Sequence, residues 1–297
     1  MKDLKTLLEG SLSSNKLNES SLLDDIDGTI EDGDGLIYNK VEKYLKDNYK
    51  GRWTISDKPN KDGLFEVSSK SDIDANTKIT SLTNGLFIWT EVEKDFNCCF
   101  CHSLKSLDGA PKKVGKDFNC YYCSSLKSLD GSPNEVIENF DCSNCTSLES
   151  LKGSPNKVGK NFICCFCHSL ESLDGAPNKV GRDFDCNYCS LLKSLKGAPK
   201  EVGRSFDCSN CGELKTLEGA PNKVVETFYC RSCFSLESLK GAPKEVGGGF
   251  YCFNCTSLES LKGAPKKVGK NFDCRSCTSL ESLDGAPKEI GEKFIYN

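Results

Sequence analysis

The chain holds one methionine, two tryptophans and two histidines in 297 residues, and the shortage of imidazole is the most restrictive of these. Histidine is the commonest general base and metal ligand near neutral pH, so only His102 and His168 are available for either role. The local motifs that carry much enzymatic chemistry are also missing: there is no Gly-rich phosphate loop, no G-x-S-x-G and no H-E-x-x-H. No run approaches the roughly 18 apolar residues that cross a bilayer. The opening MKDLKTLLEGSLSSNKL lacks the apolar core of a secretory signal. A basic surplus is absent too. The formal charge is −4, with 13 Lys+Arg against 18 Asp+Glu in the first 94 residues and 26 against 25 in the rest, which announces no surface for nucleic acid. Together these absences predict a cytoplasmic, non-catalytic protein with no membrane partner and no cofactor.

Cysteine, by contrast, is abundant, with 20 in the chain. Its placement follows an internal repeat. Phenylalanine recurs every 22 residues at 96, 118, 140, 162, 184, 206, 228, 250, 272 and 294, and the first nine each open the pattern F-x-C-x-x-C-x-x-L-x-x-L-x-G-[AS]-P-x-x-[VI]. Such a unit cannot bury its own apolar face and must stack on copies of itself, which defines a repeat solenoid. The F-x-C alternation places Phe118 and Cys120 on the inner face of a short strand, and the Gly-[AS]-Pro turn forces an extended return that the valine closes. The fold expected is a parallel β-sheet on a concave face with extended and turn return segments on the convex face.

Nine C-x-x-C pairs also match zinc half-sites. All nine share the phase of the core-facing Phe and Leu, however, where thiols pack as small hydrophobes and donate weakly to backbone carbonyls. The structural reading therefore predicts no bound metal, and a cysteine-rich metal-binding or thiol-active protein is the lower alternative. Cys99 and Cys165 fall outside the pattern at outward strand positions and are the expected exposed thiols. His102 and His168 follow the second framework cysteine of the same two coils.

The F-x-C-x-x-C-x-x-L and C-x-x-L-x-x-L-x-G-x-P elements resemble the leucine-rich repeat family, in particular its BspA-like and LPX-type subclasses. Cysteine stands at the second strand position and where the family has its asparagine ladder. That resemblance implies a binding scaffold. The opening of the chain, a helix and small strand unit leading into TSLTNGLF and the F-x-C coils, resembles leucine-rich repeat proteins of tailed bacteriophages. It implies a host-directed inhibitor or decoy in the bacterial host cytoplasm, or alternatively a structural or particle-associated adaptor.

Three regions are expected: an N-terminal arm over 1–37, mobile or helical; an α+β cap over 38–94; and a solenoid of nine full coils plus a terminal strand over 95–297. NKVEKYLKDNY predicts a helix with Val41, Tyr44 and Leu45 on one face, and RWTIS, GLFEVSS and GLFIWTEV predict strands. Trp53, Phe65, Leu82, Phe87 and Trp89 are expected to cover the open solenoid end. Charged neighbours within a coil, such as Lys105/Asp108, Lys127/Asp130, Glu149/Lys152, Glu237/Lys240 and Glu259/Lys262, predict a solvated outer face.

Outward strand positions vary from coil to coil while inward ones do not. The variable set gives Asp117, Asp141, Asp185 and Asp207 together with Phe100, Tyr121, Tyr122, Phe166, Tyr188, Tyr229, Tyr251 and Phe253. An acidic, aromatic surface suits a protein partner with a basic segment. The strand begun at Phe294 is a further expected contact, through which two chains would form a homodimer edge to edge.

Overall fold

The computed structural model describes residues 33–296 and shows that each coil contributes two short strands. One starts at the framework phenylalanine, as in Phe118–Asn119, and the other ends at the valine, as in Glu135–Val136. Equivalent strands pair in parallel from coil to coil, Phe140 beside both Phe118 and Phe162, and Val136 beside both Val114 and Val158. The result is two 12-stranded sheets, called here the F sheet and the V sheet. The sequence predicts one sheet with turns and extended chain behind it, and the return in fact carries the second. The physical reason is that coils stacked at the sheet spacing of roughly 4.8 Å bring every extended segment beside its copy, where its N–H and C=O groups find partners.

The inside is made of columns. Phenylalanine rings from Phe96 to Phe272 stack face on, with centroids 5.2–5.5 Å apart. Leu126, Leu129, Val136 and both framework cysteines of that coil are fully buried beside them. Where the chain turns after the second leucine, the backbone of Gly153 lies at φ +86°, and a Cβ there would sit 2.4 Å from the Asp130 amide nitrogen. Only glycine fits that conformation and that contact. In the last coil Leu283 is exposed, and the Phe294 ring turns edge-on to Phe272 at 73°.

The second framework cysteine of each coil reaches back one coil. Cys123 Sγ donates to Cys98 O at 3.1 Å, Cys145 to Cys120 at 3.3 Å, and the same bond recurs up to Cys277 and Cys252 at 3.2 Å. Eighteen framework thiols are free and buried. Burial pushes the thiols of Cys189 and Cys233 up to about 12, so thiolate is suppressed where nucleophilic or metal chemistry would need it. Among the described residues no group of three or more His, Cys, Asp or Glu side chains is arranged to hold a metal ion.

Two units divide the chain at 37/38, and the helical patterns up to Asp32 lie outside the described residues. Helix α1 spans Gly33–Asn48 and buries Val41 and Leu45, as their spacing predicts. Strands β1 (Tyr49–Lys50), β2 (Thr54–Ile55), β3 (Phe65–Ser69), β4 (Ile73–Ala75) and β5 (Phe87–Val92) follow. β3 and β5 pair in parallel, Phe65 beside Phe87, and β4 and β5 pair with the first F and V strands. The cap is therefore an irregular early coil, sealed by antiparallel β1 against β4 and β2 against β3. Trp89 lies edge-on to Phe96 at 5.9 Å and stops the ring stack. Phe65, Leu82, Phe87 and Trp89 are buried as expected. Trp53 is not; it lies half-buried in a shallow depression with Arg52, Lys70 and Lys94.

Among the described residues most ion pairs run between coils, 22 residues apart, and none joins the neighbours three apart within a coil; Arg275–Asp273, at 2.9 Å, is a pair inside one coil. Lys157–Glu135 at 2.7 Å, Lys160–Glu138 at 2.8 Å, Lys179–Glu201 at 2.9 Å and Lys240–Glu218 at 2.7 Å are representative. Solvent leaves each worth little, but opposite signs in one column disfavour a slip of register.

The thiol ladder makes a direct prediction. Cys145→Val, which keeps bulk but drops the donor, should cost on the order of 1 kcal/mol in urea unfolding, and Cys145→Ala, which also opens a cavity, about 1–3 kcal/mol. Equal stability of all three proteins would remove the ladder from the account.

Candidate functional site

The outer face of the F sheet is shaped first by what its polar side chains do for the backbone. At the position before the phenylalanine, six coils carry Asp or Asn, which accepts from the next coil: Asp95 Oδ1 from the Asp117 amide at 3.0 Å, and Asp117 Oδ1 from Asn139 N at 2.9 Å and Nδ2 at 2.8 Å. Asn139, Asn161 and Asp183 continue this ladder. At the position after each phenylalanine, Asp141, Asp185 and Asp207 accept from the amides of Ser143 at 2.8 Å, Asn187 at 3.0 Å and Ser209 at 2.8 Å. These are turns in which a short acidic side chain ends the strand. Each carboxylate keeps its second oxygen available, and among the described residues no cation forms an ion pair with Asp141, Asp185 or Asp207, whereas Asp183 has Arg204 at 3.6 Å. Burial raises the carboxyls of Asp141 and Asp185 above the usual range, Asp185 to about 6, and for Asp185 the neighbouring charges of Asp207, Asp141 and Asp183 add to the effect.

The aromatic residues are held differently. The fourth residue after each phenylalanine has a left-handed backbone in all nine coils, φ +55° to +60°. Asn144, Asn210 and Asn254 occupy it in three coils, which suits the tolerance of asparagine for that region. Phe100, Tyr122, Phe166 and Tyr188 occupy it in four others. A bulky side chain there costs roughly 1–2 kcal/mol. The turn projects the ring outward, and Phe100, Tyr122 and Tyr188 are 46%, 41% and 44% exposed.

These rings form separate clusters and not one continuous patch. Phe100 packs on Tyr121 and Tyr122 with centroids at 5.3 and 5.7 Å, and His102 lies edge-on to Tyr122 at 5.4 Å. Three coils on, Phe166 and Tyr188 stack at 4.6 Å, with His168 edge-on to Phe166. A third cluster joins Tyr229 and Tyr251, stacked at 5.3 Å, to Phe253 through Arg231, whose guanidinium carbon lies 5.8 Å from the Tyr229 ring centre and 5.9 Å from that of Phe253.

Cys99 and Cys165 are the most accessible thiols among the described residues, yet they are half-buried, not exposed. Burial lifts both to about 12, which leaves them poor nucleophiles. The imidazoles pair with the next coil, His102 Nδ1 with Ser124 Oγ at 3.3 Å and His168 Nδ1 with Ser190 Oγ at 3.3 Å. The carboxylate that would orient a histidine acting as general base is not among their partners. Comparison with protein-family models, curated proteins and solved structures returns no match.

Asp185 supplies a pH test. Its carboxyl is raised in the folded chain, so the native state holds that proton more tightly than the unfolded one, and stability is greatest below the unfolded value near ~4 and declines as pH rises through about 6. Asp185→Asn keeps an oxygen for the Asn187 amide and removes the charge. It should be more stable than the parent at pH 7 by on the order of 1–3 kcal/mol, with the gap closing near pH 4. A gap independent of pH would contradict this assignment.

Proposed function

We propose that the chain is a non-catalytic protein–protein interaction scaffold that holds a basic segment of a partner on the outer face of the F sheet. The observation that carries this reading is the placement of Phe100, Tyr122, Phe166 and Tyr188 at left-handed positions that asparagine fills in other coils. The chain accepts backbone strain there to display rings that the core does not need, and strain retained at a surface position is a mark of function. Exposed aromatic rings are rigid anchors and cation-π faces. Asp141, Asp185 and Asp207 add uncompensated acidity on the same face, and a partner's Lys or Arg would relieve the repulsion among them. An inhibitor or decoy that occupies such a segment is the form to which the resemblance to phage leucine-rich repeat proteins leads.

Affinity capture from bacterial lysate, followed by titration of the captured protein, tests the proposal. Tyr122→Ala combined with Tyr188→Ala should weaken binding by about 2 kcal/mol or more, roughly thirtyfold. Unchanged affinity of that double variant for a partner of confirmed stoichiometry would move the binding surface elsewhere.

A further inference from the structure

The outer face of the F sheet carries a second, longer period. Coil one reads Cys99-Phe100-Cys101-His102 and coil four Cys165-Phe166-Cys167-His168; coil two has Tyr122 followed by Ser124, and coil five Tyr188 followed by Ser190; coils three and six both read Phe-Asp-Cys-Ser-Asn-Cys, at 140–145 and 206–211. The geometry repeats with the sequence. Each histidine makes the same 3.3 Å contact with the serine of the next coil, and each cluster sets two left-handed aromatics side by side. Nothing in the core requires a period of three coils, because the inward columns repeat at every coil.

A third aromatic cluster, again three coils further on, holds a cation supplied by the chain itself. Arg231 lies over Tyr229 and Phe253. Among the described residues no Lys or Arg lies over the rings of the first two clusters. The molecule thus displays one filled aromatic cluster and two without a cation, and Asp141 lies on the coil between those two with no cationic partner of its own.

Building on the reading of this face as a protein-binding surface, we propose that Phe100 with Tyr122 and Phe166 with Tyr188 are two equivalent subsites for two cationic side chains of one extended segment. Three coils span roughly 14 Å at the sheet spacing. An extended chain advances roughly 3.4 Å per residue, so the two cations stand about four residues apart. The alternation of strand side chains selects the same spacing, since residues i and i+4 of an extended segment point to one side while i and i+3 point to opposite sides. Asp141, between the subsites, faces the middle of the segment.

Peptides of equal length and composition, with two arginines placed three, four or seven apart in a Gly/Ser host, and a single-arginine control, test this by calorimetry. The peptide with spacing four should bind at least about tenfold more tightly than the control, since the second contact is intramolecular. Tyr122→Asn or Tyr188→Asn alone should bring it to the level of the control while leaving the control within about a factor of two. Deleting residues 140–161, one whole coil, should abolish the preference for spacing four, with circular dichroism confirming the fold of the shortened solenoid. Equal affinity for all spacings would overturn the paired subsites and leave the basic-segment reading standing. Failure of every peptide to bind, or binding of a neutral oligosaccharide that these tyrosine variants lose, would overturn both.

Discussion

Each coil is tied to the next by the parallel hydrogen bonds of the F strands, and the spacing of roughly 4.8 Å that those bonds impose governs everything else in the molecule. Any side chain repeated at 22 residues must meet its own copy at about that distance. Phenylalanine answers with parallel rings 5.2–5.5 Å apart. A thiol answers by reaching back to a carbonyl, as Cys145 does to Cys120 O at 3.3 Å. Asp and Asn before the phenylalanine accept the next coil's amide, and opposite charges pair along the outside. Cysteine suits the inner corner because it is compact, apolar enough to bury and still a donor. A metal or redox role would require thiolate, which burial opposes.

That division leaves the outer face free to vary. Substitutions at the outward positions need not disturb the inner columns, so a stack of nearly identical coils can carry different side chains on its surface. The polar residues of that face still serve the backbone, Asp117 in the ladder and Asp141, Asp185 and Asp207 in turns. The aromatics at left-handed positions do the opposite and work against local backbone preference. Acid groups whose oxygens hold turns while their buried charge opposes folding, as at Asp185, stand beside rings that cost stability and are displayed, and together they compose the surface proposed for recognition.

Much of this was legible in the sequence. The 22-residue period, the inward phase of Phe, Cys, Leu and Val, and four of the five cap residues all follow from apolar spacing. The V sheet did not, because two residues of Lys/Glu-Val between a proline turn and a loop give no alternation to read. Asp117 and its equivalents looked like surface acidity; the signal missed was that Asp or Asn recurs at that position at 95, 117, 139, 161, 183 and 271. The asparagines at 144, 210 and 254 were likewise a legible sign of left-handed backbone. Cross-coil ion pairs are legible only down the 22-residue columns, where Lys157 meets Glu135, and not between neighbours along the chain. The half-buried position of Trp53 is not legible, because aromatic content alone does not say which side of a short strand faces the core.

The central claim is that the four left-handed aromatics serve recognition and not folding. Its most direct test is the equilibrium unfolding of a chain carrying Phe100→Asn, Tyr122→Asn, Phe166→Asn and Tyr188→Asn together. Relief of strain, roughly 1–2 kcal/mol at each of the four positions, should at least offset the loss of exposed ring contacts worth about 0.5–1.5 kcal/mol per pair. The account predicts a midpoint equal to or above that of the parent with an unchanged denaturant dependence. A loss of more than about 1 kcal/mol would show that the rings belong to the fold and would contradict it.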